Sequence, residues 1–87
     1  HRYSIFLTKR ALRQLIKLDN KTKNRILQTL EILKNYGFSS QLDIKKLKGF
    51  KKYYRIRIGN YRILFELQKP STIIVYAILH RKSAYKH

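Results

Sequence analysis

The chain has no cysteine, no methionine and no tryptophan, one proline, three glycines and only four acidic residues. Without cysteine there is no disulfide framework and no thiolate metal site. The histidines, His1, His80 and His87, do not form a zinc motif. No apolar run approaches the roughly 18 residues of a membrane span, and no signal-peptide pattern opens the chain. The expectation is a cytoplasmic protein with no membrane partner. The four acids, Asp19, Glu31, Asp43 and Glu66, face 21 Lys and Arg, for a net charge of +17 on 87 residues. With so few carboxylates, hard divalent-metal chemistry, which wants several oxygen ligands, is disfavoured. The imbalance points to a polyanionic partner, nucleic acid ahead of acidic lipid, bound in a salt-sensitive way. A chain this basic also repels itself, so an acidic protein partner would stabilise and store it.

What is present is ordinary for a folded domain. Hydrophobic residues make up 44%, enough for a core and too many for disorder. Residues 1–87 are expected to form one domain with one core, without internal repeat, linker or low-complexity segment. Tyr3–Leu7 reads as a strand and Thr8 as an N-cap. Lys9–Leu18 carries Leu12, Leu15 and Ile16 as a helical stripe, and Asp19 or Asn20 breaks that helix and caps the next. Lys21–Tyr36 carries Ile26, Leu30 and Leu33 at helical spacing, widened by Leu27 and Ile32, with Gly37 as C-cap. Phe38–Asp43 reads as a loop, and Ile44–Lys48 as a short strand. Thr72–Leu79 is apolar almost throughout, as in a mid-sheet strand, and His80–His87 is a polar tail. The order β-α-α-β-β-β predicts an α+β fold: a mostly antiparallel sheet, a two-helix hairpin packed on one face, and the other face open.

The stretch that organises the chain is a predicted hairpin. Two alternating runs, Tyr54–Ile58 and Tyr61–Leu67, are joined by Gly59-Asn60, a two-residue turn whose members tolerate positive φ. The turn fixes the register: Ile58 faces Tyr61, Arg57 faces Arg62, Ile56 faces Ile63 and Tyr54 faces Phe65. Alternation then sends Tyr54, Ile56, Ile58, Tyr61, Ile63 and Phe65 to the core face, and Arg55, Arg57 and Arg62 to the open face. Arg57 and Arg62 stand opposite each other, where like charges destabilise. Glu66, the nearest carboxylate in this reading, is two pairs away. An external anion resolves the conflict, and clustered guanidinium groups suit a phosphate. If Leu67 pairs with Thr72 across the Gln68–Ser71 turn, Ala77 lies beside Arg62, Arg81 reaches the same open face and His80 faces the helices.

Such a face lacks a Ser/His/Asp or Cys/His set and the oxygen ligands a divalent metal needs. It can grip a phosphodiester and neutralise a pentavalent transition state. RNA supplies its own nucleophile, the 2′-OH, so cleavage by this route is open to RNA and closed to DNA, and it needs no cofactor. A tyrosine or lysine with a depressed pKa could act as base. Tyr53 and Tyr85 offer stacking surfaces for bases, while Tyr54 belongs to the core and Glu66 is a local partner for Lys52 or an arginine.

The string LKGFKKYYRIRIGNYRILFE (Leu47–Glu66), followed by ILHRKSAY (Ile78–Tyr85), resembles the RelE/ParE toxin superfamily, and the element order matches over nearly the whole chain. The resemblance implies one of two activities. RelE-like members are ribosome-dependent mRNA endonucleases that cut in the A site and are silenced by a partly disordered antitoxin. ParE-like members share the fold and poison DNA gyrase. By resemblance, Arg55 and Arg57 occupy the two basic positions before the turn, where lysines are frequent. Arginine stays protonated, so a lysine acting as base is replaced here. Arg62 matches the transition-state arginine after the turn, Arg81 the arginine ending the last strand, and Tyr85 the C-terminal tyrosine at the cleaved nucleotide. The candidate catalytic set is Arg55, Arg57, Arg62, Arg81 and Tyr85. Lys48, Lys51, Lys52, Tyr53, His80 and Lys82 are the RNA-binding candidates. The expected activity is a metal-independent endoribonuclease acting on ribosome-bound mRNA, with an acidic RelB-like antitoxin as partner. The alternatives are a gyrase-inhibiting toxin and a non-catalytic basic RNA-binding module.

Overall fold

The structure is a computed structural model and describes residues 2–47, 49 and 52–84. The elements are β1 (Ser4–Leu7), α1 (Lys9–Ile16), α2 (Asn20–Tyr36), β2 (Asp43–Lys46), β3 (Tyr53–Ile58), β4 (Tyr61–Gln68), β5 (Thr72–His80) and α3 (Arg81–Ala84). The strands form one sheet in the order β1-β5-β4-β3-β2. β1 runs parallel to β5 and the other neighbours are antiparallel.

Local chemistry sets the helix ends. Thr8 Oγ1 accepts the Ala11 N–H at 3.2 Å, and the Asp19 carboxylate accepts the Thr22 N–H at 3.2 Å, each satisfying a donor that the first helical turn leaves orphaned. Hydrogen bonding from Thr22 holds the Asp19 pKa below its ordinary value. α2 stops at Gly37, whose φ of 70° suits glycine. A Cβ there would lie 2.8 Å from the Tyr3 ring, so close packing also requires a bare Cα.

The helical pair covers one face of the sheet. Ala11 and Leu15 of α1, and Ile26, Leu30 and Leu33 of α2, pack with Ile56, Ile63, Phe65, Ile73, Val75 and Ile78. Each fully buried large side chain contributes about 1.5–3 kcal/mol. The apolar seam is narrower than the sequence suggests. Leu12 and Ile16 are 48% and 60% exposed, because α1 meets the sheet through Ala11 and Leu15 and ends at Ile16, and Leu27 is 45% exposed because α2 buries Ile26, Leu30 and Leu33 instead.

The hairpin register is the predicted one, with Arg57 opposite Arg62, Ile56 opposite Ile63 and Tyr54 opposite Phe65. Tyr54 stacks on Phe65 at 5.5 Å and meets Phe38 edge-on at 4.9 Å. The β4–β5 register differs from expectation. Gln68, rather than Leu67, pairs with Thr72, and a β-bulge between Leu64 and Phe65 inserts Tyr76 into β5. Leu79 therefore lies opposite Arg62, and Ala77 opposite Leu64. α1 protects the edge of β5 beyond β1: Thr8 Oγ1 donates to Tyr76 O at 3.4 Å, and Gln14 Oε1 accepts the Ile78 N–H at 2.7 Å. The polar tail was not expected to be helical, yet Arg81–Ala84 form α3, started by an Arg81 N–H bond to Asn60 O at 2.6 Å.

Candidate functional site

Alternation along β3 and β4 sets Tyr53, Arg55 and Arg57, with Arg62, Leu64 and Glu66, on the side of the sheet opposite the helices. The three arginines share that face and differ in their surroundings. Arg57 is exposed. Arg62, on the central strand with Arg57 and Leu79 as cross-strand neighbours, is 8% exposed. Arg55 reaches across to β2, where its Nη1 meets the Asp43 carboxylate at 3.3 Å and the Asp43 carbonyl at 3.2 Å.

Two expectations are corrected here. The arginine row is not without a carboxylate, because Asp43, read as loop, pairs opposite Arg57 at the start of β2. β2 itself spans Asp43–Lys46 rather than Ile44–Lys48, so the strand places its acid beside the arginines. The face is also not wholly bare, since Ala77 is fully buried and Arg62 nearly so.

The remaining candidates divide by position. Arg81 is exposed at the start of α3, fixed beside the β3–β4 turn by its bond to Asn60. His80 pairs with Tyr61 across β4–β5, their rings edge-to-face at 5.1 Å, and its Nδ1 accepts the Lys82 N–H at 3.3 Å. It thus lies on the helix-facing side, away from the arginine row. Lys82 is exposed in α3. Lys52 is exposed before β3, and its Nζ is 3.2 Å from Glu66, the local pairing read from the sequence. Tyr53 opens β3 and meets Tyr76 edge-to-face at 5.7 Å. Lys48, Lys51 and Tyr85 lie outside the described residues.

Four contributors were not singled out by sequence reasoning: Asp43, Leu79, Tyr76 and Arg25. A Cβ at Gly59 would lie 3.1 Å from Arg25 Nη1, so α2 delivers a further cation to the turn beside Arg57. Arg25, Thr29, Gln41, Asp43 and Arg57 help line a hollow of about 210 Å³ there. Helical periodicity marks Arg25 only as outward-facing, and only the tertiary fold shows what it approaches. Burial first, then the neighbouring Tyr53 and Glu66, hold the Tyr76 phenol above its ordinary pKa, which makes Tyr76 the reverse of a depressed-pKa base. Among the described residues no three His, Cys, Asp or Glu gather to hold a metal, and no helix is long and apolar enough to cross a membrane.

Chemically, one end of the face is cationic and can bind and neutralise a phosphodiester. The other end is aromatic, with one carboxylate held by a lysine. Comparison with known proteins bears on this arrangement. The family model for the ParE toxin of type II toxin-antitoxin system, parDE, matches residues 5–85. The chain is 32% identical to the putative toxin RelE1 of Methanocaldococcus jannaschii over 88 residues, covering 99% of this chain and 98% of that protein. It is 57% identical over 47 residues to Toxin RelE3 of the same organism, spanning 54% of this chain and about half (52%) of that relative's length. The crystal structure of a RelB-RelE antitoxin-toxin complex from Methanococcus jannaschii superposes with a TM-score of 0.81 at 38% identity, covering 93% of this chain and 95% of that one. The chain belongs to the RelE/ParE family of toxins of type II toxin–antitoxin systems.

Proposed function

We propose that this toxin is a cytoplasmic, metal-independent endoribonuclease that cuts mRNA in the ribosomal A site and so arrests translation. The observation that carries the reading is the row Arg55, Arg57 and Arg62 on one sheet face, with Arg81 at the adjoining turn. In the reaction, the 2′-oxygen bonds to the adjacent phosphorus, the bond from phosphorus to the 5′-oxygen breaks, and a 2′,3′-cyclic phosphate and a 5′-hydroxyl result. One proton leaves the 2′-OH and one reaches the 5′-oxygen. Guanidinium groups stay protonated, so the arginines align the phosphate and neutralise the extra charge of the phosphorane rather than act as base. Arg62, nearly buried, acts in a lower effective dielectric and contributes more to that charge than exposed Arg57. Tyr85 is proposed as the stacking or proton-handling group at the cleaved nucleotide. Lys48, Lys51, Lys52, Tyr53 and Lys82 are proposed to hold the strand.

The proposed protein partner is an acidic RelB-like antitoxin. Support comes from the +17 charge and from the RelB-bound toxin of similar fold. A second reading, a gyrase-inhibiting toxin without nuclease activity, is favoured by the ParE family match. The near-full-length RelE relative favours the first. The deciding experiment is mRNA cleavage on programmed 70S ribosomes. Wild type should cut, and Arg62→Ala should lose about 10²–10³-fold in rate with its circular dichroism intact. Arg62→Lys, which keeps the charge, should fall between them. Intact mRNA together with inhibited supercoiling would overturn the nuclease reading in favour of the gyrase one.

A further inference from the structure

The aromatic end of the open face is a built hollow that the cleavage chemistry leaves unused. It has a volume of about 560 Å³ and is lined by Thr8, Leu47, Tyr53, Glu66, Ile74 and Tyr76, within the range of small-molecule sites. Tyr53 and Glu66 are cross-strand partners, and Ile74 pairs with Glu66 on the other side. Tyr76 is the residue inserted by the bulge, without a Cα partner on β4. Its ring closes the hollow edge-to-face with Tyr53, at 5.7 Å and 86°. Glu66 lines the hollow with its side chain 17% exposed and its carboxylate 3.2 Å from Lys52 Nζ.

We propose that this hollow is a base-reading subsite. It takes an unpaired nucleobase whose Watson–Crick edge offers two adjacent N–H donors, as guanine does, with Glu66 as the acceptor pair and Tyr53 and Tyr76 as the walls. The proposal rests on the endonuclease reading above, since it concerns a nucleotide of the strand held by the arginine row.

Two arguments favour a base over the other parts of a nucleotide. The first is charge: a phosphate beside Glu66 would meet a carboxylate, whereas an uncharged base edge carrying donors would be bonded by it. Exocyclic amino and ring N–H groups of unstacked bases are read in this way, between aromatic walls. Of the common bases, only guanine presents two neighbouring donors to a bidentate carboxylate. The second is distance. Glu66 and Arg62 are four residues apart on one strand and on one face, about 13 Å at strand rise, a span that a short stretch of extended single strand bridges. The phosphate can therefore sit on the cationic end while a neighbouring base sits in the hollow. The raised pKa of Tyr76 keeps its phenol neutral, so no second anion competes there.

Two measurements test this. In the first, the full chain is titrated with each of the four nucleoside monophosphates and followed by NMR. Guanosine monophosphate should shift the Tyr53, Glu66 and Tyr76 resonances, and uridine monophosphate should shift the arginine end alone. A hollow that answers to none of the four, or to all equally, overturns the proposal and leaves that surface to a protein partner. In the second, programmed ribosomes carrying guanine or uracil at each A-site position are compared. At one position wild type should prefer guanine, and Glu66→Gln should reduce the guanine-to-uracil rate ratio about tenfold. An unchanged ratio in the folded variant overturns the subsite. Failure of wild type to cut any programmed ribosome instead overturns the nuclease reading, and the titration still decides whether the hollow binds guanine.

Discussion

Neutralising Asp43 tests how far the protein itself restrains the arginine row. The carboxylate lies 3.3 Å from Arg55 Nη1, and the pair is asymmetric: the Arg55 side chain is 18% exposed and that of Asp43 57%. Ion pairs with one partner this exposed contribute about 0–1 kcal/mol, so Asp43→Asn should cost less than about 1 kcal/mol of stability. The Asp43 carbonyl still accepts from Arg55 at 3.2 Å, which keeps the guanidinium near its present position. The effect on RNA binding should be larger than the effect on folding. Net charge rises from +17 by one unit, and Arg55 becomes able to take a phosphate in place of the carboxylate. Each phosphate contact to a single strand adds about 0.7 to the slope of log K against log salt. Between 50 and 200 mM salt, one new contact corresponds to about a 2.6-fold additional loss of affinity. Fluorescence anisotropy with a short single-stranded RNA across that range measures the slope. Arg55→Ala should weaken binding more in the Asp43→Asn background than in wild type. An unchanged slope, with Arg55→Ala equally harmful in both backgrounds, would mean that Asp43 does not hold Arg55 back, and the reasoning fails.

Two further predictions concern what holds the site in shape. Gln14 Oε1 is the acceptor for the Ile78 amide at 2.7 Å, and Ile78 is 3% exposed. Gln14→Leu leaves that donor unmet and should destabilise by about 1–3 kcal/mol, roughly 5–20 °C in Tm for a domain of this size. Gln14→Glu, which keeps an acceptor, should lose less, and a urea melt of Gln14→Leu within about 0.5 kcal/mol of wild type would refute the edge-protection role. Asp19, whose folded pKa lies below the ordinary 3.8, contributes capping that is fully present above the unfolded value and is lost as pH falls through the lowered folded one. The acid limb of the stability curve should therefore be shallower in Asp19→Asn than in wild type, and superimposable limbs would sink the assignment.

The parts of this fold legible in the sequence are those whose geometry is set by neighbours in the chain. Gly59-Asn60 fixes its own hairpin, so every partner from Tyr54 to Phe65 could be assigned. Thr8, Asp19 and Gly37 declare helix ends because each side chain, or its absence, acts within a few residues. The β4–β5 register was not legible. A turn containing Pro70 sets it less sharply, and the inserted Tyr76 sits in TIIVYAIL, where an apolar residue at almost every position hides the change of phase. Asp43 gave no signal because an acid just before Ile44 reads as the end of the loop, and its pairing with Arg55 exists only once β2 lies against β3. The burial of Arg62 follows from its position on the central strand beside Leu79, a neighbour decided by the bulge. α3 has no apolar stripe to announce it, and its start depends on a carbonyl 21 residues earlier, that of Asn60.

The opposition of Arg57 and Arg62 survives because other residues outweigh it. Like charges facing across a ladder cost from a few tenths to about 1 kcal/mol. A one-residue slip of β3 against β4 would separate them, but it would also turn the apolar set of β3, Ile56 with Tyr54 and Ile58, away from the core. Ile56 is fully buried and contributes about 1.5–3 kcal/mol, and the half-buried Tyr54 and Ile58 add to it. Burial therefore exceeds the repulsion several-fold, and the Gly59 backbone at φ 55° together with the Arg81–Asn60 bond pins the turn that sets the register. The cations are thus held in position by the apolar face behind them, whether or not an anion is bound. An arriving phosphate would relieve a repulsion already present. A site that must stabilise charge developing late in a reaction needs its dipoles and charges arranged beforehand. In this chain that arrangement is produced on the opposite side of the same strands, by Ile56, Ile63 and Phe65.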